Sequence, residues 1–97
     1  GSADMLKNMA QRIRSTSDNS VLVLGADISG KANLVVMVSD ALVKEKKINA
    51  ITIIKEISGE INGGGGGQPF LASAGGKNPA GLKSAILKAE NYLRSII

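Results

Sequence analysis

The sequence contains no cysteine, no histidine and no tryptophan. Without cysteine there is neither a disulfide nor a thiolate metal site, and nothing signals an oxidising compartment, so a cytoplasmic setting is expected. Without histidine the commonest general acid/base and the commonest neutral metal ligand are both missing. Catalysis within this chain, and a metal or other cofactor, are therefore not expected. Phe70 and Tyr92 are the only aromatic residues, too few for a platform on which single-stranded bases stack. No apolar run approaches the roughly 20 residues that cross a bilayer, and the N-terminus lacks the basic, apolar and small-residue order of a secretory signal. A membrane is not an expected partner.

What is present suits one small domain: 97 residues, 43% of them hydrophobic, enough to close a core without metal or disulfide staples. Gly1 and Ser2 read as a remnant of expression cloning, leaving 3–97 as the domain. Twelve Lys and Arg against eight Asp and Glu give a net charge of +4, a modest excess that favours a polyanionic partner without identifying one.

Along the chain, Met5, Leu6, Met9 and Ile13 recur at helical spacing and predict an amphipathic helix over 4–15. The polar cluster at 15–20 then reads as a loop. "VLVL" at 21–24 and "LVVMV" at 34–38 predict two strands covered on both faces, joined as an antiparallel hairpin through a connection of several residues. Ser39 or Asp40 is placed to cap a helical turn, and "KEKK" at 44–47 reads as a solvated basic stretch. Ile51, Ile54, Ile57 and Ile61 draw a stripe that persists too long for a strand and predicts a helix. "PFLASA" fits a short final strand. Asn78 as N-cap, Pro79 at the first helical position, and Leu82, Ile86, Ala89, Leu93 and Ile96 at heptad-like spacing predict the last helix. The fold class is α/β: a small sheet with helices packed on it, and a glycine-rich loop before the last strand and last helix.

That loop carries the five consecutive glycines Gly63, Gly64, Gly65, Gly66 and Gly67. Ordering five glycines is costly in chain entropy, so either the run is a slack linker or bare backbone is required there. The flanking pieces are too small to be separate domains, which puts the run inside one fold. A second pair, Gly75 and Gly76, precedes the Asn78 cap. Backbone N–H groups free of a neighbouring Cβ, near a helix N-terminus, can meet an anion. Nucleotide motifs are excluded: Gly76-Lys77 is followed by Asn78 instead of Ser or Thr, and the glycines do not follow the first strand of a βαβ unit.

The stretch "INAITIIKEISGEINGGGGGQPFLASAGGKNPAGLKSAI" resembles the C-terminal (C-Ala) domain of bacterial alanyl-tRNA synthetases, which is related to the nucleic-acid-binding domain of DHH-family phosphoesterases. The shared pattern falls on Ala50, Gly63 to Gly67, Pro69, Ala72, Gly75 and Gly76. Two positions depart from it: Gln68 and Phe70 stand where synthetase relatives commonly carry an arginine and an acidic residue. The phosphoesterase branch usually has a histidine after its glycines, and this chain has none. The resemblance implies a tRNA-binding appendage with no activity of its own, which contacts the outer corner of tRNA(Ala) and helps the remaining domains of the same synthetase in aminoacylation and editing. It implies RNA contacts by Gly63 to Gly67, Gly75 and Gly76, with Lys77 the foremost phosphate contact and Lys31 and Lys83 weaker candidates. Each lysine reads equally as a solvated surface charge. Gln68 either bonds a ribose or base edge or ties down its own loop, and Gly75 or Gly76 either meets RNA or supplies a positive φ before the helix cap. Two alternatives from other classes remain: a dimerisation or interaction module, in which the apolar stripe of the last helix mates with a second copy or with an N-terminal part of a longer protein, and a single-strand nucleic-acid-binding domain of a phosphoesterase.

Overall fold

The computed structural model describes residues 3–16, 20–46 and 48–96. Its elements run α1 (Ala3–Thr16), β1 (Val21–Ile28), β2 (Lys31–Val38), α2 (Asp40–Glu45), α3 (Ala50–Ile57), a 3-10 turn (Ser58–Ile61), β3 (Gly63–Gln68), β4 (Leu71–Gly76), a second 3-10 turn (Pro79–Gly81) and α4 (Leu82–Ile96). The four strands form one antiparallel sheet in the order β1-β2-β4-β3.

β2 is central, and its near-continuous apolar sequence has the reason anticipated for it: both of its faces are covered. Leu34, Val36 and Val38 point to one side, where they meet Ile53, Ile54 and Ile57 of α3 and Ala85 and Ala89 of α4. Val35 and Met37, at the alternate positions, point to the other side and pack with Ala10, Leu6 and Ile13 of α1. The two-residue period of a strand thus feeds two separate apolar clusters.

The helices follow their apolar stripes. Ile54, Ile57 and Ile61 are fully buried and Ile51 is half-buried, but the α-helix stops at Ile57 and the stripe finishes on the 3-10 turn. Asn49, which periodicity does not reveal, caps α3 by accepting the Ile51 N–H at 2.8 Å. On α4, Leu82, Ile86 and Leu93 pack against the core beside fully buried Ala89. These three are half-buried, and the side chain of Ile96, the last position of the stripe, lies outside the described residues. The large hydrophobic residues left exposed, among the described residues, are Met5, Met9 and Leu87.

Several local expectations are corrected. The first hairpin has no long connection: its strands are eight residues each and meet at Ser29 and Gly30. Both residues have positive φ, 53° and 82°, the two-residue geometry that matches strand twist, and the Gly30 N–H donates to Asp27 Oδ1 at 3.0 Å. Ser39 precedes α2 without capping it; its Oγ donates to the Ser20 carbonyl at 3.0 Å and accepts the Ser20 N–H at 2.9 Å. Asn78 caps nothing with its side chain, since Nδ2 donates to the Glu60 carbonyl at 3.3 Å, and α4 starts only at Leu82. Of the basic stretch, Lys44, Glu45 and Lys46 are exposed, while Lys47 lies outside the described residues. Of the loop expected at 15–20, Ser15 and Thr16 belong to α1, and residues 17–19 lie outside the described residues.

The largest correction concerns the glycine run, which is a strand and not a loop. Gly63–Gln68 form β3, the edge of the sheet, joined to β4 by the two-residue turn Pro69–Phe70. Strand preference is read from side chains that pack on a pleated surface, and glycine has none to read. The turn is held from both sides: the Ala50 N–H at the start of α3 donates to the Pro69 carbonyl at 2.8 Å, and the Val38 N–H donates to the Phe70 carbonyl at 2.9 Å. The first of these satisfies an N–H that the helix itself leaves open.

Candidate nucleic-acid interface

Side chains alternate between the two faces of a strand, so β3 has two sets of glycines with different surroundings. Gly63, Gly65 and Gly67 pair with Gly76, Ala74 and Ala72, whose alanines belong to the core under α3. A Cβ at any of the three would collide with β4. At Gly65 it would overlap the Ser73 carbonyl and stand 2.6 Å from Ala74 Cβ; at Gly63 it would overlap the Gly75 carbonyl; at Gly67 it would lie 2.7 Å from Ala72 Cα. These glycines are required by the close approach of β4.

Gly64 and Gly66, on the face that α1 shares, are different: a Cβ at either would meet nothing within 4 Å. The same division separates the second pair. At Gly76 a Cβ would overlap the Ile61 carbonyl, whereas at Gly75 its nearest neighbour would be the Ala32 carbonyl at 4.0 Å. Neither glycine of that pair has a positive φ; among the described residues Gly30 and Gly67 are the glycines that do. Gly75 and Gly76 are the last residues of β4, and the 3-10 turn that leads into α4 begins at Pro79.

Gly64, Gly75 and Asn33 stand abreast on β3, β4 and β2. α1 packs over Val35 and Met37 and leaves this row open. The result is a depression of about 310 Å³ lined by Lys7 of α1 and by Asn33, Val35, Gly64, Ser73 and Gly75. A second depression of about 300 Å³ adjoins it, lined by Lys31, Ala32, Asn33, Gly75, Gly76 and Lys77. Asn33 and Gly75 belong to both. Among the described residues, no carboxylate lines either one.

Of the candidates taken from sequence, the structure gathers Gly64, Gly75, Gly76, Lys31 and Lys77 around these two depressions. It turns Gly63, Gly65 and Gly67 toward β4 and the core, and it puts Gly66 one row further along, opposite Ser73. Gln68 ends β3, exposed and paired with Leu71, and lines neither depression. Lys83 sits exposed on α4, also outside them. Lys7, Asn33 and Ser73 escape sequence reasoning. The only signal for Lys7 is its place on the polar side of an amphipathic helix, which does not say what that side overlooks. Among the described residues no cluster of three or more His, Cys, Asp or Glu could hold a metal ion, and no helix is long and apolar enough to cross a membrane. Exposed peptide groups ringed by lysines can contact a ribose-phosphate chain closely while reading little of its base sequence.

The DHHA1 domain family matches residues 1–95. The chain is 52% identical over 90 residues to an alanine–tRNA ligase of Levilactobacillus brevis, covering 93% of this chain and 10% of that protein. It is 46% identical over 93 residues to the alanine–tRNA ligase of Cytophaga hutchinsonii, covering 96% of this chain and 11% of that protein. It thus spans about a tenth of the length of these curated relatives. The crystal structure of the C-Ala domain from Aquifex aeolicus alanyl-tRNA synthetase superposes with a TM-score of 0.82 at 31% identity, covering 93% of this chain and 80% of that one.

Proposed function

Since the chain belongs to the DHHA1 domain family, and within it to the C-Ala domains of alanyl-tRNA synthetases, we propose that it binds the outer corner of tRNA(Ala) on behalf of such a synthetase. It does so in the cytoplasm, needs no cofactor of its own and leaves catalysis to the remaining domains. One observation carries the reading. Gly64 and Gly75 are free of any packing constraint yet lack side chains; Gly64 lines the first depression, and Gly75 lines both it and the second, which Lys31 and Lys77 border. Glycine inside a strand is destabilising by roughly 0.5–1 kcal/mol against alanine, so its presence at unconstrained positions fits close approach by a ligand. The 2′-OH groups and phosphates of folded RNA, presented across a shallow surface, suit recognition by shape.

The test is titration of the chain with tRNA(Ala) at several salt concentrations. Affinity falls as salt rises, because bound phosphates release their counterions. Gly64→Val weakens binding about tenfold, roughly 1.4 kcal/mol, while the thermal midpoint stays near that of the parent. Salt-independent affinity, or a stronger preference for an unstructured oligonucleotide than for folded tRNA, would sink this reading; the second result would favour the phosphoesterase-type alternative.

A further inference from the structure

We propose that Lys7 of α1 is a further phosphate contact of this surface, so that α1 forms one bank of the RNA track and the lysines near β2 and β4 the other. The inference rests on the RNA-binding reading and adds to it an element that the glycine motif does not include.

The two flanks of α1 differ. Leu6, Ala10 and Ile13 pack downward on the sheet. On one flank Met5 and Met9 overlook Ala26 and Ile28 of β1, in a recess that Asp27 and Ser29 also line. On the other flank Lys7 overlooks Gly64, Ser73 and Gly75. The polar flank thus faces the bare strands and the apolar flank faces the strand with side chains. An ammonium on a flexible four-carbon stem reaches over such a recess without burying its charge.

Position and charge then agree. Lys7 borders the first depression, Lys31 and Lys77 border the second, and Asn33 with Gly75 is the floor they share. Three cations, one on α1, one on β2 and one just after β4, border one uncharged floor. The ion pairs seen among the described residues, Lys88 with Glu60 and Arg94 with Glu90, involve none of the three. A chain of phosphates crossing Gly75 would meet Lys77 or Lys31 on one side and Lys7 on the other.

A phosphate contact has a signature that a packing role lacks: it changes the salt dependence of binding. Titrations with tRNA(Ala) between 50 and 200 mM salt, roughly the range over which such effects are large, compare the parent chain with Lys7→Ala, Lys7→Gln, Lys7→Arg and, on α3 across the sheet, Lys55→Ala. Both neutral Lys7 variants should bind several-fold more weakly at low salt and lower the slope of log affinity against log salt by about 0.7–0.9. Lys7→Arg should keep the slope, and Lys55→Ala should match the parent. Thermal midpoints measured in parallel should be level, since Lys7 is exposed. If the parent binds with a normal salt slope and neither neutral variant changes it, or if Lys55→Ala changes it equally, Lys7 is not a contact and the RNA-binding reading stands without it. If the parent shows no salt-dependent affinity, both fall together.

Discussion

The two hairpins of this sheet share a topology and almost nothing else. β1–β2 is built mostly from Val, Leu, Ile and Met and has apolar clusters on both of its faces. β3–β4 is built mostly from Gly, Ala and Ser; it is covered by α3 on one face and open on the other, where α1 stops short. In the first hairpin side chains hold the strands in place. In the second the strands approach so closely that side chains have no room on one face, and the absence of side chains leaves bare backbone on the other. A sheet can therefore be stabilised by bulk in one half and depend on its lack in the other.

The contrast predicts opposite ways of breaking the two halves. The largest effect should come from removing bulk in the first: Leu34→Ala empties a fully buried site and should cost about 2–5 kcal/mol in chemical denaturation. Next, adding bulk to the second on its crowded face should also destabilise. Gly65→Ala forces a Cβ onto the Ser73 carbonyl and should cost about 1–3 kcal/mol. Gly30→Ala puts a side chain at a φ of 82° in open space, so only backbone strain opposes it, at about 1 kcal/mol. The smallest change in stability sharpens the comparison most. Gly66→Ala, one residue from Gly65 but on the open face, should leave stability level or raise it by up to about 0.5–1 kcal/mol in chemical denaturation. Equal destabilisation by Gly65→Ala and Gly66→Ala would erase the distinction between the two faces of β3.

The first hairpin was legible in sequence and the second largely was not, and the reason is the same physical fact. Val35, Val36, Met37 and their neighbours advertise a strand by bulk and branching; Gly63 to Gly67 advertise only permissiveness, which a loop and an edge strand share. The Pro-Phe turn, with its two anchoring hydrogen bonds from Ala50 and Val38, settles that ambiguity through contacts far apart in the chain. At the candidate site, Gly75, Gly76, Lys31 and Lys77 were reachable because they lie in or beside the glycine motif and the first turn. Lys7 was not, since 68 residues separate it from Gly75 and only the packing of α1 across β2 brings them together.

Helix positions and the two-sided burial of β2 were determined locally, by apolar side chains recurring at 3.6 or at two residues, because such periods have one way to face a core. Which glycines are spacers against β4 and which are open ground was decided only by strand pairing. A residue without a side chain takes its meaning from whatever the fold brings within a few ångströms of it.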